Sequence, residues 1–441
     1  MNYAAIWHRP SSEYAFALDD THYVFRLRAQ AGDLTCCALW YADRAAMGPL
    51  CYRRAPMEKR YTDALADWFE LRLTTQLNRI AYYFELCDGA RTAYYIGGLF
   101  QPTPQADRSD VFQFAYNHRA DRLTVPDWAA DAVVYNIFPD SFASGEGSIP
   151  GSGAELFHNG QRVRGRLGGT LDGVAANAKY IRSMGFSCVY LNPIFAAGEY
   201  HKYDTIDYMH VDPCFGGDGA MRRMVKALHA EGIRVIIDGV VNHCGWRFWA
   251  FEDVIKNQER SRYRDWFYGL TFPVERPADP EAYPGYTTYA YERMMPKLNT
   301  ANREVREYLC GVGQYWIEEF GVDGWRLDVA SEVDDAFWRE FRRRVKAVDP
   351  DALLIGEVWE SAGHWLDGSM FDSAMNYELR RHCRRFFAEM SEDAYTFSGR
   401  CTDMLMRYRK QMIPAQLGVL DSHDVSRFLS LCGGDERRHR L

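Results

Sequence analysis

The chain has 441 residues, with 52 Lys and Arg against 60 Asp and Glu and a formal net charge of −8. Apolar residues make up 47% of the chain and aromatic residues 15%. This length predicts two or three domains with ample core. The negative balance argues against nucleic acid as a partner, and the absence of any run near 18 apolar residues argues against a membrane span.

The N-terminal residues lack the charged and apolar regions of a signal peptide. The eleven cysteines are scattered and form no CxxC pair, which is typical of free thiols in a reducing compartment. We therefore expect a cytoplasmic protein without a structural zinc site.

Residues 1–120 alternate short aromatic or β-branched runs with turn residues, as in HYVFRLRA and RIAYYFELCDG. This is strand patterning without a helical period, so the first domain is predicted to be a β-sandwich.

From about residue 121 the pattern changes to apolar runs that alternate with helix-length amphipathic segments such as REVREYLCGVGQYWIEEF and DAFWREFRRRVKAV. Such alternation predicts an α/β fold, a (β/α) barrel over residues 121–441. A long Pro/Gly/Tyr-rich stretch predicts an inserted subdomain at about 244–300, after the third strand. Seven buried strands are predicted: AVVYNIF, SCVYLNPIF, RVIIDGVV, GWRLDVA, LLIGEVW, FDSAMNY and LGVLDSHD.

Charged residues follow four of these strands, at the carboxyl ends that build the active site of such barrels. They are Asp238 and His243, Arg326 and Asp328, Glu357, and His423 and Asp424.

Asp328 and Arg326 have two interpretations. An isolated Arg-x-Asp on a strand is most simply a structural ion pair. However, residues two apart on a strand point to the same side, so both side chains are expected to face the barrel interior, where the guanidinium would keep Asp328 ionised as a nucleophile requires.

Glu357 follows the apolar run LLIG and precedes Val358 and Trp359. Desolvation there is expected to raise its pKa toward that of a general acid. One ionised and one protonated carboxyl is what a retaining glycosidase requires.

Two histidines, His243 and His423, accompany these carboxyls, and neutral imidazoles can donate hydrogen bonds to sugar hydroxyls. Tyr203 and Tyr135 offer flat faces for pyranose rings. A metal site formed by His201, His243 and His423 with the aspartates is a weaker alternative, because no familiar ligand spacing occurs.

The motifs DGVVNH, GWRLDVASE, EVW and LDSHD occur in the order in which the α-amylase family of glycoside hydrolases carries them, and the chain resembles that family over essentially its whole length. The resemblance implies that Asp328 is the nucleophile, Glu357 the general acid/base and Asp424 the carboxylate that stabilises the transition state. It implies supporting sugar contacts from six further residues: His201, Tyr203, Asp238, His243, Arg326 and His423.

Within the family, MPKLN and GWRLDVASEVDDAFW resemble the neopullulanase, cyclomaltodextrinase and maltogenic amylase branch. That resemblance implies a starch-binding-like N-terminal sandwich, a homodimer formed through it, and an α-glucan oligosaccharide as substrate. Trp359, and one of Phe248 or Trp249, match positions where the branch keeps aromatic residues for acceptor sugars.

Two departures from the family pattern affect these expectations. The loop NIFPDSFASGEGSIPGSGAE is poor in Asn and Asp ligands, so neither calcium nor another cofactor is predicted. Only 17 residues follow Asp424, too few for an eighth barrel unit and a C-terminal β domain, so we expect the sequence to be part of a longer protein.

Three functions therefore remain open: a retaining α-1,4-glucan hydrolase, which the residues favour, a glucanotransferase or branching enzyme with the same intermediate, and a non-catalytic glucan-binding protein.

Overall fold

The computed structural model describes residues 1–104, 107–145, 167–276 and 282–441, together with the backbone of two strands at 155–158 and 161–164. The chain forms two compact units. The first comprises Met1–Thr124, Asn376–Pro414 and Gly418–Leu441, and the second comprises Val125–Met375 and Ala415–Leu417. The domain boundaries drawn from the sequence stay a prediction.

Nine antiparallel strands form the N-terminal part of the first unit. The long strand β4 pairs through its first half with β3 and through its second half with β5, and so joins the two groups of strands. The strands are β1 (Ala15–Ala17), β2 (His22–Gln30), β3 (Cys36–Asp43), β4 (Arg53–Thr62), β5 (Ala66–Thr74), β6 (Ile80–Cys87), β7 (Thr92–Ile96), β8 (Leu99–Gln101) and β9 (Phe112–Phe114).

The core of this β domain is rich in aromatic side chains, including the fully buried Tyr23, Phe25, Tyr82 and Phe84. Aromatic and β-branched residues pack well on a pleated, half-buried surface. The predicted β-sandwich is confirmed.

A helical segment completes the first unit. Arg26 of β2 is fully buried, pairs with Glu70 at 3.0 Å and donates to the carbonyl oxygens of Met406 and Tyr408. The helices of this segment are α7 (Tyr377–Cys383), α8 (Ala394–Met406), α9 (Phe428–Leu431) and α10 (Glu436–Arg440), numbered after the six of the second unit, with a π-helical turn at Arg384–Ala388.

The second unit is built on a parallel sheet whose strands follow chain order. Its strands are β10 (Val134–Ile137), β13 (Cys188–Leu191), β16 (Arg234–Gly239), β17 (Gly324–Leu327), β18 (Leu353–Gly356) and β19 (Ser373–Ala374). Two hairpins accompany it, β11 (Glu155–His158) with β12 (Gln161–Arg164), and β14 (Phe195–Ala197) with β15 (Thr205–Val211).

Helices lie between the strands, and parallel strands linked by crossover helices in chain order are the arrangement of a (β/α) barrel. The helices are α1 (Leu171–Ala176), α2 (Ala178–Ser183), α3 (Gly217–Ala230), α4 (Trp249–Asn257), α5 (Arg303–Phe320) and α6 (Asp335–Val348). The predicted barrel, and the helices predicted from REVREYLCGVGQYWIEEF and DAFWREFRRRVKAV, are confirmed.

Six of the seven predicted strand segments form strands of this sheet. The seventh is a parallel bridge in which Leu417 lies beside Met375 and donates its N–H to the Ala374 carbonyl. The expectation about an eighth unit concerns sequence beyond Leu441 and stays a prediction.

The predicted inserted subdomain at 244–300 is described except for residues 277–281 and contains α4. Among the described residues, none of the helices is both long enough and apolar enough to cross a membrane.

Candidate active site

Arg326 lies at the centre of a group of carboxylates at the carboxyl ends of the barrel strands. Its Nη1 donates to Asp238 Oδ1 at 2.9 Å and to Asp328 Oδ1 at 2.6 Å, and its Nη2 lies 2.9 Å from Glu357 Oε1. Its Nε donates to the thioether sulfur of Met375 at 3.3 Å. One buried guanidinium therefore holds three carboxylates together.

Strand register explains this arrangement. Asp238 of β16 and Arg326 of β17 are directly paired in the parallel sheet, so their side chains lie side by side. Asp328 is two residues further along and contacts the same guanidinium, as the period of two predicts. The simpler interpretation, an isolated structural ion pair of Arg326 and Asp328, does not describe this arrangement, because the guanidinium also contacts the carboxylates of Asp238 and Glu357.

Glu357 is fixed by the turn that follows Asp328. Its Oε2 accepts the Val329 N–H at 2.9 Å, and its carbonyl accepts the Ala330 N–H at 3.1 Å. Val329 has φ of +46°, a left-handed conformation that a β-branched residue rarely adopts. Such strain is concentrated at functional sites, and here it directs the Val329 N–H at Glu357.

The charges of this group are unbalanced, since three carboxyls surround one guanidinium. Burial raises the pKa of Asp328, Arg326 opposes the shift, and the Glu357 and Asp238 charges add to it, so that the pKa lies well above its usual value. Burial acts to lower the pKa of Arg326, but Asp238 and Glu357 outweigh it and raise that pKa. The charge of Asp328 therefore depends on Glu357 and Asp238 as well as on Arg326.

Two tyrosines complete the surroundings of Asp238. Tyr190 and Tyr203 both donate to its Oδ2, at 2.5 and 3.0 Å, and Asn192 donates to the Tyr203 hydroxyl at 3.3 Å. Burial raises the pKa of both tyrosines well above its usual value, so each stays a hydrogen-bond donor. Tyr190 and Asn192 were not predicted from the sequence, although their spacing of two in VYLNP was a usable signal.

His243 is completely buried, and its ring stacks on Tyr289 at a centroid distance of 4.8 Å. Burial lowers its pKa to about 3, with contributions from Lys297 and His201, so the imidazole is neutral. It bonds the Tyr203 backbone, while its Nε2 is buried with no hydrogen-bond partner among the described residues. This nitrogen therefore lacks the partner that buried polar atoms usually have.

Two other predicted residues lie beside this group. The Nδ1 of His201 accepts the Tyr203 N–H at 3.0 Å and so shapes the loop that carries Tyr203. Trp359 donates its indole N–H to Glu357 Oε1 at 3.2 Å, and the side chain is about half exposed. Its open face adjoins the predicted general acid.

The structure does not bring Tyr135 to this group. Its ring stacks on Phe186 at 4.6 Å and meets Phe142 edge-on. The next residue, Asn136, instead donates to Asn192 and to the Tyr190 carbonyl. The sugar-facing position predicted for Tyr135 is therefore corrected, because the strand alternates and turns Asn136 toward Asn192.

Phe248 is also corrected. Its ring is fully buried against Tyr208, Trp249 and Tyr308, which leaves no face for a sugar. Trp249 is 41% exposed and packs edge-on against Trp266 and Tyr308. Of the two alternatives, only Trp249 has an accessible ring.

Asp424 and His423 belong to the first compact unit. When His423 Nε2 carries a proton, it can donate to Asp424 Oδ2, which lies 3.2 Å away. The backbone N–H of Asp424 donates to Ser422 Oγ at 3.2 Å. Their predicted roles rest on the resemblance and stay predictions.

No group of three metal-ligating side chains is positioned to hold an ion in the part of the chain that the structure describes. The predicted absence of calcium concerns a loop in which residues 146–154 lie outside the described residues, and it stays a prediction. For the alternative His-Asp metal site, the described contacts of His201 and His243 are hydrogen bonds and ring stacking, which suit a sugar site.

A (β/α) barrel with buried paired carboxyls and aromatic side chains at its strand ends has the architecture of a glycoside hydrolase. The model of the alpha amylase catalytic domain matches residues 136–441, and that of the alpha amylase N-terminal ig-like domain matches residues 1–118. The chain belongs to the alpha-amylase family.

Named relatives agree with this assignment. Neopullulanase 2 of Thermoactinomyces vulgaris is 43% identical over 440 residues, which are 99% of this chain and 74% of that protein. A cyclomaltodextrinase of Geobacillus thermopakistaniensis (strain MAS1) is 40% identical over 445 residues, covering 100% of this chain and 75% of the relative. A solved cyclomaltodextrinase structure has a TM-score of 0.91 at 37% identity, covering 99% of this chain and 75% of that one.

Proposed function

We propose that the protein is a retaining hydrolase of α-1,4-glucosidic bonds in cyclodextrins, pullulan or short maltooligosaccharides. The observation that carries the proposal is the guanidinium of Arg326, which contacts both Asp328 and Glu357. The names neopullulanase and cyclomaltodextrinase, borne by the relatives, support the substrate class.

In the first step Glu357 gives its proton to the glycosidic oxygen while an Asp328 oxygen attacks the anomeric carbon. The bond to the leaving sugar breaks and a covalent glucosyl ester forms. Glu357, now ionised, removes a proton from water, which attacks the same carbon and releases Asp328. Double displacement requires the two carboxyl groups to lie about 5–5.5 Å apart.

The neighbouring residues support the roles of Asp328 as nucleophile and Glu357 as general acid and base. Arg326 stabilises the Asp328 carboxylate when it is released, and the Val329 N–H and the Trp359 indole hold Glu357 in place. The neutral His243 offers Nε2 to a sugar hydroxyl, and Tyr203 offers a ring face. Asp424 is assigned to transition-state stabilisation by the resemblance.

The test is product analysis by HPLC on β-cyclodextrin, pullulan and maltotriose, with the Asp328→Asn protein as the control. Release of maltose, panose or glucose that depends on Asp328 supports the proposal. Absence of turnover on all three substrates, or equal turnover by the control, would overturn it.

Transfer to a second sugar is the other candidate activity, and the exposed ring of Trp359 beside Glu357 favours it. A bound acceptor sugar would replace water in the second step. Accumulation of products longer than the substrate at high maltotriose concentration would indicate a glucanotransferase, whereas their absence indicates hydrolysis alone.

A homodimer formed through the N-terminal β domain also follows from the resemblance. Exposed apolar side chains of that domain, Tyr3, Trp7 and Leu99, are consistent with it. Sedimentation velocity over a range of concentrations should give a dimer that Trp7→Asp weakens, and a monomer at all concentrations would contradict it.

The cytoplasmic location stays a prediction.

A further inference from the structure

The loop that joins β14 to β15 carries His201 and Tyr203, two of the residues predicted to contact the sugar. Between them lies Lys202, which the proposed mechanism does not use. Lys202 is only 1% exposed, whereas both of its neighbours are partly exposed. Lysine is almost never fully buried unless its charge is paired, so the position of this ammonium group requires an explanation.

The ammonium group of Lys202 is paired with Asp212, the residue that directly follows β15. Its Nζ donates to Asp212 Oδ2 at 2.6 Å, and the same oxygen accepts the Ala197 N–H at 3.4 Å. Asp212 Oδ1 accepts the Cys214 N–H at 2.9 Å, and the Asp212 N–H donates to the Ile194 carbonyl at 2.9 Å. One buried carboxylate therefore ties the loop to the base of its hairpin.

The charges of this pair do not serve stability alone. Burial acts to raise the pKa of Asp212, but hydrogen bonds from Lys202 and Cys214 outweigh it and lower that pKa, so the carboxyl is ionised. Replacing a buried ion pair by neutral groups of the same volume is often neutral for stability, because pairing only offsets the cost of burying both charges. The stability of the fold therefore does not by itself account for the pair.

The backbone at Lys202 shows what the pair can hold in place. Lys202 has φ of +67°, in the left-handed region that residues with a Cβ seldom adopt. Such a conformation persists where the surroundings fix it. Directly after this turn, the Tyr203 N–H donates to His201 Nδ1 and the Tyr203 hydroxyl donates to Asp238 Oδ2, both at 3.0 Å. The direction of the Tyr203 side chain therefore depends on the conformation of Lys202.

We infer that Lys202 is a positioning residue for the proposed hydrolysis, because its ion pair with Asp212 fixes the left-handed turn that places Tyr203 against Asp238. The inference rests on the proposed function, in which Tyr203 contacts the sugar. Lys202 acts through Tyr203 and not on the sugar, since its ammonium group is bound to Asp212. Without the pair the loop has more conformations available, and a sugar that is held less firmly reacts more slowly.

The test replaces both partners with neutral side chains of similar volume, Lys202→Met together with Asp212→Asn. The melting temperature of this double variant should stay within about 5 °C of wild type, because both buried charges are removed together. Its kcat/KM on maltotriose should nevertheless fall about tenfold or more, since the turn is no longer fixed. Lys202→Met alone should melt at a lower temperature than the double variant, because it leaves the Asp212 charge buried without its ammonium partner.

A second set of variants tests whether the effect passes through Tyr203. In a Tyr203→Ala background the same double substitution should change kcat/KM less than about threefold, because the side chain that it positions is absent. The matched control is Lys346→Met on α6, which removes a largely buried ammonium group that lies 2.8 Å from Asp372 Oδ2. This control should lower the melting temperature but leave kcat/KM on maltotriose unchanged.

Wild-type kcat/KM in the double variant would overturn the inference, and so would an equal loss with and without the Tyr203 side chain. A loss of kcat/KM that follows the melting temperature in every variant, Lys346→Met included, would show a structural role alone and would also overturn it. In each of these results the wild-type protein turns over maltotriose, so the proposed function stands. Absence of turnover by the wild type contradicts the proposed function, and this inference falls with it.

Discussion

Asp328 contacts Arg326 in a group that has more negative than positive charge. Replacing Asp328 is therefore expected to lower turnover without lowering the stability of the fold. Asp328→Asn removes the nucleophile, and kcat should fall on the order of 10³-fold or more. A raised pKa means that Asp328 favours the folded state below about pH 3.9, its unfolded value, and that this contribution is lost as the pH rises through the folded pKa.

At pH 7, Asp328→Asn should therefore keep or raise the melting temperature, and the difference from wild type should shrink toward pH 4. Thermal melting across this range checks the sign. A lower melting temperature at pH 7 would show that the Arg326 ion pair outweighs the cost of burial, and wild-type turnover would remove Asp328 from the mechanism.

The loss of activity on replacing Glu357 is expected to depend on the leaving group of the substrate. Glu357→Gln removes the proton donor, which a sugar leaving group needs and an activated aryl group hardly needs. The loss of kcat/KM should therefore be at least tenfold greater on maltotriose than on a nitrophenyl maltoside. Similar losses on both substrates would contradict a general-acid role.

At the scale of the element, α5 precedes the strand that carries Arg326 and depends on a defined N-cap. The Asn302 side chain accepts the N–H groups of Glu304 and Val305 at 2.8 and 3.4 Å. Asn302→Ala should lower the free energy of unfolding by about 1 kcal/mol with kcat/KM unchanged. Chemical denaturation measures this, with Asn302→Ser as the control that keeps a capping oxygen.

The elements also show what the sequence could predict. Alternation in GWRLDVA predicted that Arg326 and Asp328 share one side of β17, because that relation is local. The contacts of Arg326 with Met375 and of Tyr190 with Asp238 depend on which strands are neighbours and in what register. For the same reason Tyr135 was misassigned, since the side that it faces depends on the partners packed against β10.

At the scale of the whole molecule, the helical segment 376–414 forms one compact unit with the N-terminal β domain. This association depends on contacts hundreds of residues apart, such as Arg26 with Tyr408, which no local pattern reports.

Arg26→Met tests how strongly these parts are joined. It leaves Glu70 with its Lys410 pair and removes the donor to three carbonyl oxygens, those of Glu13, Met406 and Tyr408, so unfolding should become easier by about 3–5 kcal/mol. The control Arg9→Met breaks an exposed pair with Glu13 and should cost at most about 1 kcal/mol. Equal effects of the two variants in denaturant titrations would contradict this account.

The central claim is that Asp328 forms a covalent bond to the sugar, and the most direct test is mass spectrometry of a trapped intermediate. A 5-fluoro-α-glucosyl fluoride should load one glucosyl group onto the peptide that contains Asp328, and Asp328→Asn should abolish the adduct. An adduct on another carboxyl, or turnover of the reagent with inversion and no adduct, would contradict the mechanism.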